Sequence, residues 1–145
     1  MREVRRSALV PYSSLQMYEL VADVERYPEF LPWCTAAAVQ ERVGDEVVAS
    51  LALARGRAQA RFTTRNRLVP GERLEMRLVE GPFSSLEGCW EFRPIGSAGS
   101  RVELVMRFAT AATLAGLLLG PAFEAICNQL VDAFGRRALS IYGAA

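Results

Sequence analysis

The chain has no histidine and no lysine, and both absences limit the chemistry it can carry. Without histidine, it cannot form a Ser-His-Asp or Cys-His catalytic arrangement or a histidine-based metal site. Without lysine, it has neither a Schiff-base nucleophile nor an intact phosphate-binding loop. Any acid–base step would therefore depend on carboxylates, tyrosine, cysteine or water.

Cysteine is scarce, and long apolar runs are absent. Cys34, Cys89 and Cys127 are widely spaced and odd in number, which fits neither a disulfide framework nor a zinc site, so we expect small buried side chains. The longest apolar stretch, AATLAGLLLGPAF at 111–123, is interrupted by glycine and proline and is shorter than the ~18 residues that span a bilayer. The N-terminus lacks the apolar stretch of a signal peptide. We predict a cytoplasmic protein.

What remains is typical of one folded domain covering residues 1–145. Half of the chain is hydrophobic (51%), enough to form a single core. The net charge of +1 produces no overall attraction to nucleic acid or to an anionic membrane.

The first helix is predicted over residues 14–25, after a strand at about 3–10. Ser13 and Gln16 have the spacing of a capping box. Apolar residues follow at helical spacing: Met17, Leu20, Val21 and Val24.

From about residue 35 to 109 the hydrophobic period is two. Turn signals at 43–45, 70–71, 81–82 and 96–100 divide this region into strands with one apolar face. We predict an antiparallel meander of about six strands. No inward position carries a compelling acid, so we assign no catalytic residue and no metal ligand.

After residue 110 the period returns to 3.6. One apolar stripe contains Phe123, Ile126, Cys127, Leu130, Val131, Phe134, Ala138 and Ile141. This predicts a long C-terminal helix, broken or kinked near Gly120-Pro121, that lays its stripe on the apolar face of the sheet. The fold class is therefore α+β.

Several stretches resemble a known family. VADVERYPEFLPWC (21–34), FTTRNRL (62–68), LVEGPFSSLEGCWEF (78–92) and VDAFGRRALSIYG (131–143) are similar to the START-like polyketide cyclase/dehydrase superfamily. Within it they resemble the branch that contains coenzyme Q-binding proteins and the ribosome-association toxin RatA. The resemblance implies the helix-grip (START/Bet v 1-like) fold, in which a curved antiparallel sheet of six to seven strands wraps a long C-terminal helix.

The resemblance also implies a hydrophobic cavity between sheet and helix. Its wall would be formed by Leu51, Leu53, Ala60, Phe62, Thr64, Leu74, Met76, Leu78, Trp90, Phe92, Leu104, Met106, Phe108, Phe123, Cys127 and Val131. This face mixes large side chains with small ones, which leaves room for a guest; the alternative is a plain packed core. A polar contact for a ligand head group would come from Thr64, Tyr18, Tyr27 or Asn128.

The stretch RYPEFLPWC at 26–34 carries large apolar side chains between two prolines, which exclude a long helix or a central strand. We expect a hydrophobic gate at the cavity mouth, or a lid that plugs the core. Its residues would be Tyr27, Phe30, Leu31 and Trp33, with Phe83 from the turn at 81–82.

Arginines alternate along the predicted strand around Phe62, at positions 55, 57, 61, 65 and 67. Arg57, Arg61, Arg65 and Arg67 are candidates for an RNA-contacting surface. The alternative is a solvated face balanced by glutamates on neighbouring strands.

Three functions therefore stay open. The first is non-enzymatic binding and transport of a polyprenyl quinone such as ubiquinone, or of another lipid, with transient contact at the inner membrane. The second is RatA-type binding to the large ribosomal subunit that blocks subunit association. The third is an aromatase or oligoketide cyclase. None of the three requires a resident cofactor.

Overall fold

The computed structural model describes residues 1–144. These residues form seven strands, two α-helices and a short 3-10 helix at Val24–Glu29. In chain order the elements are β1 (Arg2–Val10), α1 (Ser14–Ala22), the 3-10 helix, β2 (Cys34–Val43), β3 (Glu46–Arg55), β4 (Ala58–Val69), β5 (Arg73–Glu80), β6 (Phe83–Ile95), β7 (Gly99–Thr110) and α2 (Leu114–Tyr142). The strands form one antiparallel sheet in the order β1-β7-β6-β5-β4-β3-β2.

The sheet has one face packed on α2, as the two-residue period predicts. In β7 the buried residues Val102, Leu104 and Phe108 alternate with exposed Arg101 and Arg107. The antiparallel register places Trp90 opposite Leu104 and Phe92 opposite Val102, so the apolar positions of β6 and β7 share a face. The apolar stripe of α2 is buried against this face. The helix-grip prediction is confirmed.

The first helix begins where the capping box predicts and ends earlier. Ser13 Oγ accepts a hydrogen bond from the Gln16 amide at 3.1 Å, and the Ser13 amide donates to Gln16 Oε1 at 2.9 Å. The helix ends at Ala22 instead of 25, and Val24 begins the 3-10 helix. Asp23 has left helical geometry, and the Tyr27 hydroxyl donates to the carbonyl of Val21, one of the carbonyls that the helix end leaves free.

Of the break or kink predicted near Gly120-Pro121, the break is wrong, because α2 runs without interruption from Leu114 to Tyr142. Pro121 removes one helical hydrogen bond, to the carbonyl of Leu117, whose side chain is exposed to solvent. Gly120 instead allows a close approach: a Cβ added there would lie 3.2 Å from Nη2 of Arg2.

By length and composition alone, α2 would pass as a membrane-spanning helix. Helices enclosed by a sheet have the same composition. The face of α2 that contains Phe123, Cys127 and Phe134 is buried among the side chains of the sheet.

Candidate functional site

A small cavity lies between α2 and the inner face of the sheet. Its volume is about 60 Å³. Of the predicted wall residues, those that line it are Leu51, Phe62, Thr64, Leu74, Met76, Trp90, Met106, Phe123 and Cys127. Other lining residues are Val24, Tyr27, Trp33, Ala49, Asn66, Leu86, Ile126, Leu130 and Phe134.

The remaining predicted wall residues lie elsewhere in the core. They are Leu53, Ala60, Leu78, Phe92, Leu104, Phe108 and Val131. Their side chains are used in packing: Phe92 contacts the ring of Tyr18 edge-to-face at 5.9 Å, and Phe108 contacts Phe123 at 4.8 Å. An inward position on the sheet is therefore a condition for lining the cavity, but it is not sufficient.

Two methionines keep the cavity small. A Cβ added to Gly88 would lie 2.6 Å from Sδ of Met106 and 2.9 Å from Cε of Met76. The space that glycine leaves on β6 is therefore filled by the ends of two flexible side chains. Pockets for drug-sized ligands have volumes of about 300–1,000 Å³. A polyprenyl quinone would fit only after these side chains and the walls had moved.

One polar pair interrupts the apolar wall. Thr64 Oγ1 donates to Asn66 Oδ1 at 2.8 Å, and both residues are buried, Asn66 with 4% of its surface exposed. Thr64 is among the residues predicted from the sequence, whereas Asn66 is not, although it continues the same alternation along β4. Asn66, like Thr64, lines the cavity.

The other expected polar contacts are not available to a guest. The Tyr27 hydroxyl already donates to the Val21 carbonyl. The Asn128 side chain accepts from Arg6 Nε at 2.8 Å and donates to the Glu124 carbonyl. Tyr18 packs on Phe92 and does not line the cavity. Thr64 and Asn66 are therefore the polar side chains that a ligand would meet.

The titratable groups near the cavity stay protonated at neutral pH. Burial raises the pKa of the Tyr27 hydroxyl and of the Cys127 thiol, and it raises the pKa of the Cys34 thiol to about 11. The residues that line the cavity include no carboxylate. Among the described residues, those that line the cavity therefore carry no charged group at neutral pH.

The mouth segment, residues 27–33, lies against α2. Tyr27 and Phe30 meet Phe134 edge-to-face at 5.4 and 5.2 Å. Arg137 lies 4.7 Å from the centre of the Phe30 ring and donates to Glu29 Oε1 at 2.8 Å. We call these contacts of Arg137 the clasp.

Two residues expected at the mouth are core residues instead. Leu31 is 1% exposed. Phe83 is 6% exposed, in an aromatic cluster with Phe62, Phe108 and Phe123. Tyr27, Phe30 and Trp33 are half-buried, and Tyr27 and Trp33 line the cavity.

The arginines expected to form one surface fall into two groups. Arg65 and Arg67 are ion-paired on β4, with Glu46 and Asp45, each at 3.3 Å. Arg61 is exposed, and Arg57 lies in the turn before β4 instead of in the strand. Among residues 1–144, neither Arg57 nor Arg61 has a carboxylate within 4 Å.

The ion-paired arginines, Arg65 and Arg67, line a groove on the outer face of the sheet. This outer groove has a volume of about 350 Å³. Four arginines line it, Arg65, Arg67, Arg77 and Arg107, together with Glu46, Glu75, Met76, Glu87, Gly88, Cys89 and Val105. Arg77 and Arg107 are not among the RNA-contacting residues predicted from the sequence, although both occupy outward positions of their strands.

Arg77 is the unusual member of the outer groove. It lies directly opposite Arg65 in the β4–β5 register and opposite Glu87 in the β5–β6 register, so a like charge and an opposite charge flank it. Arg107 is held by Glu3 at 2.7 Å and Glu87 at 3.9 Å, whereas Arg77 has no carboxylate within 4 Å in residues 1–144. Arg65, Arg67 and Arg107 each have an acidic partner, so among residues 1–144 Arg77 is the groove arginine without an ion pair.

Comparison with known proteins agrees with this fold. Residues 10–135 match the family described as "Polyketide cyclase / dehydrase and lipid transport". The chain is 46% identical to the ribosome association toxin RatA of Pseudomonas aeruginosa over 140 residues, 97% of each chain. It is 28% identical to the mitochondrial coenzyme Q-binding protein COQ10 homolog B of Xenopus laevis, over 97% of this chain and 59% of that protein.

A solved structure has the same fold. The aromatase/cyclase Zhui of a Streptomyces species superposes with a TM-score of 0.86 over 99% of both chains, at 19% identity, which is evidence for the fold alone. The family match covers most of the chain, and the toxin relative is similar along nearly its whole length. The chain therefore belongs to the START-like polyketide cyclase/dehydrase superfamily, in the branch that contains RatA and the coenzyme Q-binding proteins.

Proposed function

We propose that this protein binds the large ribosomal subunit through the outer face of its sheet and thereby blocks association of the two subunits. The relatives named as ribosome association toxins support this proposal. So does the small interior, because binding through a surface needs neither a large cavity nor a catalytic group.

The observation that carries the proposal is the opposition of Arg65 and Arg77 in the outer groove. Two guanidinium groups facing each other across neighbouring strands repel, and the repulsion is relieved when an anion lies between them. Guanidinium groups bind phosphate in a bidentate manner, so RNA backbone phosphates are suitable anions.

The test is co-sedimentation of the purified protein with large ribosomal subunits at several salt concentrations. Binding through phosphates should weaken steeply as salt rises. Replacing Arg65 and Arg77 together by alanine should weaken binding by about ten-fold or more near 100 mM salt, and should reduce the salt dependence. In the same experiment, the double variant should no longer prevent the two subunits from joining.

Arg136→Ala is the matched control. Arg136 is exposed on α2, away from the outer face, and has no ion pair in the described chain. This variant should bind subunits as the unchanged protein does. If the double variant also binds with unchanged affinity and salt dependence, the outer groove is not the ribosomal surface.

A second candidate function is the binding of a hydrophobic molecule with one hydrogen-bond acceptor. It is favoured by the Thr64–Asn66 pair, because these two buried side chains bring hydrogen-bonding groups to an otherwise apolar cavity wall. The coenzyme Q-binding relative supports the same candidate. Binding would require Met76 and Met106 to move away from the space over Gly88.

Organic extraction of protein purified from its native host, followed by mass spectrometry, tests this second candidate. A stoichiometric quinone or other lipid supports it. Phe30→Asp and Trp33→Asp should then strongly reduce the amount of lipid bound per protein, with a smaller effect on the urea midpoint of unfolding. Empty protein, with no uptake of added quinone, would exclude it.

A further inference from the structure

Several connections of the sheet meet at the end of the fold where α2 begins. In an antiparallel sheet the end of β3, the start of β4, the turn from β5 to β6 and the end of β7 lie on the same side. Two contacts connect them: the Ala111 amide donates to the Pro82 carbonyl at 2.9 Å, and a Cβ added to Gly81 would lie 2.6 Å from Cβ of Phe62. We call this region the α2 end.

Three leucines are exposed on the first turns of α2. Leu114 is 75% exposed, Leu117 72% and Leu118 40%. Their spacing of three and four residues places them on one face of the helix. The opposite face carries Leu119 and Phe123, both buried. No charged side chain occurs from 108 to 123, so this apolar face is not interrupted by charge along the helix.

The nearby basic residues lack acidic partners. Arg57 and Arg61 belong to the β3–β4 turn and the first residues of β4, at the same end, and neither has a carboxylate within 4 Å in residues 1–144. Two exposed acids lie at this end: Glu80, in the adjoining β5–β6 connection, and Glu3, which is paired with Arg107 at 2.7 Å. Arg2 is already paired with Glu124 at 3.1 Å.

We propose that the α2 end docks on an anionic lipid bilayer. Leu114, Leu117 and Leu118 enter the boundary between head groups and acyl chains, and Arg57 and Arg61 bind lipid phosphates. Exposed leucines combined with uncompensated arginines are the composition of an interfacial helix on an anionic surface. RNA has phosphates but no aliphatic interior to accept the leucines. These leucines protrude from the end of a helix, which suits a deformable bilayer better than a fixed pocket on a protein partner.

This proposal is independent of ribosome binding. The ribosomal surface is proposed around Arg65 and Arg77 in the outer groove, whereas docking on lipid uses Arg57, Arg61 and the α2 leucines. Either proposal can therefore fail while the other stands.

The test is flotation of the full chain with vesicles of phosphatidylcholine alone and with about 30% phosphatidylglycerol. The unchanged protein should bind the anionic vesicles and bind the neutral ones weakly. Leu114→Ser with Leu117→Ser should reduce the bound fraction on anionic vesicles about ten-fold. Arg57→Gln with Arg61→Gln should remove the preference for anionic lipid.

Leu9→Ser with Leu139→Ser is the matched control, because these leucines are 71% and 55% exposed and lie outside the α2 end. It should bind vesicles as the unchanged protein does, and all variants should unfold at similar urea concentrations. The proposal is overturned if the protein binds neither vesicle, or if the α2 leucine variant floats as well as the control. It is also overturned if that variant loses ribosome binding alone, since the leucines would then contact a ribosomal protein.

Discussion

The inner and outer faces of the same strands differ in almost every physical respect. On the inner face of β6, Trp90 stacks on Phe92 and meets Phe134 edge-to-face at 5.3 Å. On the outer face of the same strand, Glu87 and Glu91 make ion pairs whose side chains are substantially exposed. A shift of one residue along the chain changes the environment from packed aromatic rings to solvated charge.

The difference separates stability from recognition. Burial of a large apolar side chain contributes about 1.5–3 kcal/mol, whereas an exposed ion pair contributes about 0–1 kcal/mol. The inner face therefore supplies most of the stability. The outer face is free to carry charge arrangements, such as Arg65 opposite Arg77, that stability alone would not favour.

The substitution with the largest expected effect on stability is Trp90→Ala. Trp90 is 2% exposed, and its removal should lower the free energy of unfolding by about 3–5 kcal/mol, because the aromatic neighbours cannot fill the space. Urea denaturation measures the change. Glu91→Ala, the next residue on the outer face, should change stability by less than about 0.5 kcal/mol. Equal losses in the two variants would contradict the division between the faces.

The amino-acid sequence is sufficient to predict the two faces and the order of elements. A period of two assigns each strand residue to one side, so the alternation alone places Trp90, Leu104 and Phe108 inside, where they are buried. The capping box locates the start of α1 for a similar reason, since both partners of the cap lie within four residues.

Features that depend on distant contacts cannot be predicted in this way. The filling of the cavity depends on where the ends of Met76 and Met106 lie relative to Gly88, on three different strands. The alternation continues through the turn before β4, so it predicts a strand at Arg57 where the chain turns. In the sequence, Gly120 next to Pro121 is typical of a helix break. In the structure, its missing side chain leaves space for the guanidinium group of Arg2 from β1.

Asn66 forms the polar pair of the cavity wall with Thr64, and Asn66→Ala should lower the free energy of unfolding by about 1–3 kcal/mol. The Thr64 hydroxyl would lose its acceptor while staying buried. Asn128→Ala removes an amide whose partner, Arg6, is exposed, and should cost less than about 1 kcal/mol. If Asn66→Ala is neutral, water already satisfies the hydroxyl, and the cavity is wet.

In the clasp, Arg137 joins the exposed carboxylate of Glu29 to the half-buried ring of Phe30. Its contribution to stability should depend on pH. The hydrogen bond from Arg137 lowers the pKa of Glu29, with further lowering by Arg26. A lowered pKa in the folded state stabilises the protein above the unfolded value of about 4.3, and this contribution disappears as pH falls through the folded pKa. Arg137→Met should therefore lower the urea midpoint at pH 7, and the deficit should be smaller at pH 3.

Arg26→Met is the comparison for the clasp. Arg26 also binds Glu29, at 3.1 Å, but its side chain is 62% exposed, and the cation–π contact with Phe30 is made by Arg137. It should have a smaller effect at pH 7 than Arg137→Met. A deficit in Arg137→Met that stays constant between pH 7 and pH 3 would assign the effect to the Phe30 contact instead of the ion pair.

The smallest change in stability is expected for Gly88→Ala, which tests whether the inner face of the sheet is rigid where it borders the cavity. The new Cβ would meet only the flexible ends of Met106 and Met76, so stability should change by less than about 1 kcal/mol. Gly81→Ala is the contrast, because its Cβ would meet Cβ of Phe62 at 2.6 Å and its φ of +148° disfavours a side chain. A loss above about 2 kcal/mol in Gly88→Ala would mean that the methionines are fixed in place, and a larger guest could not enter.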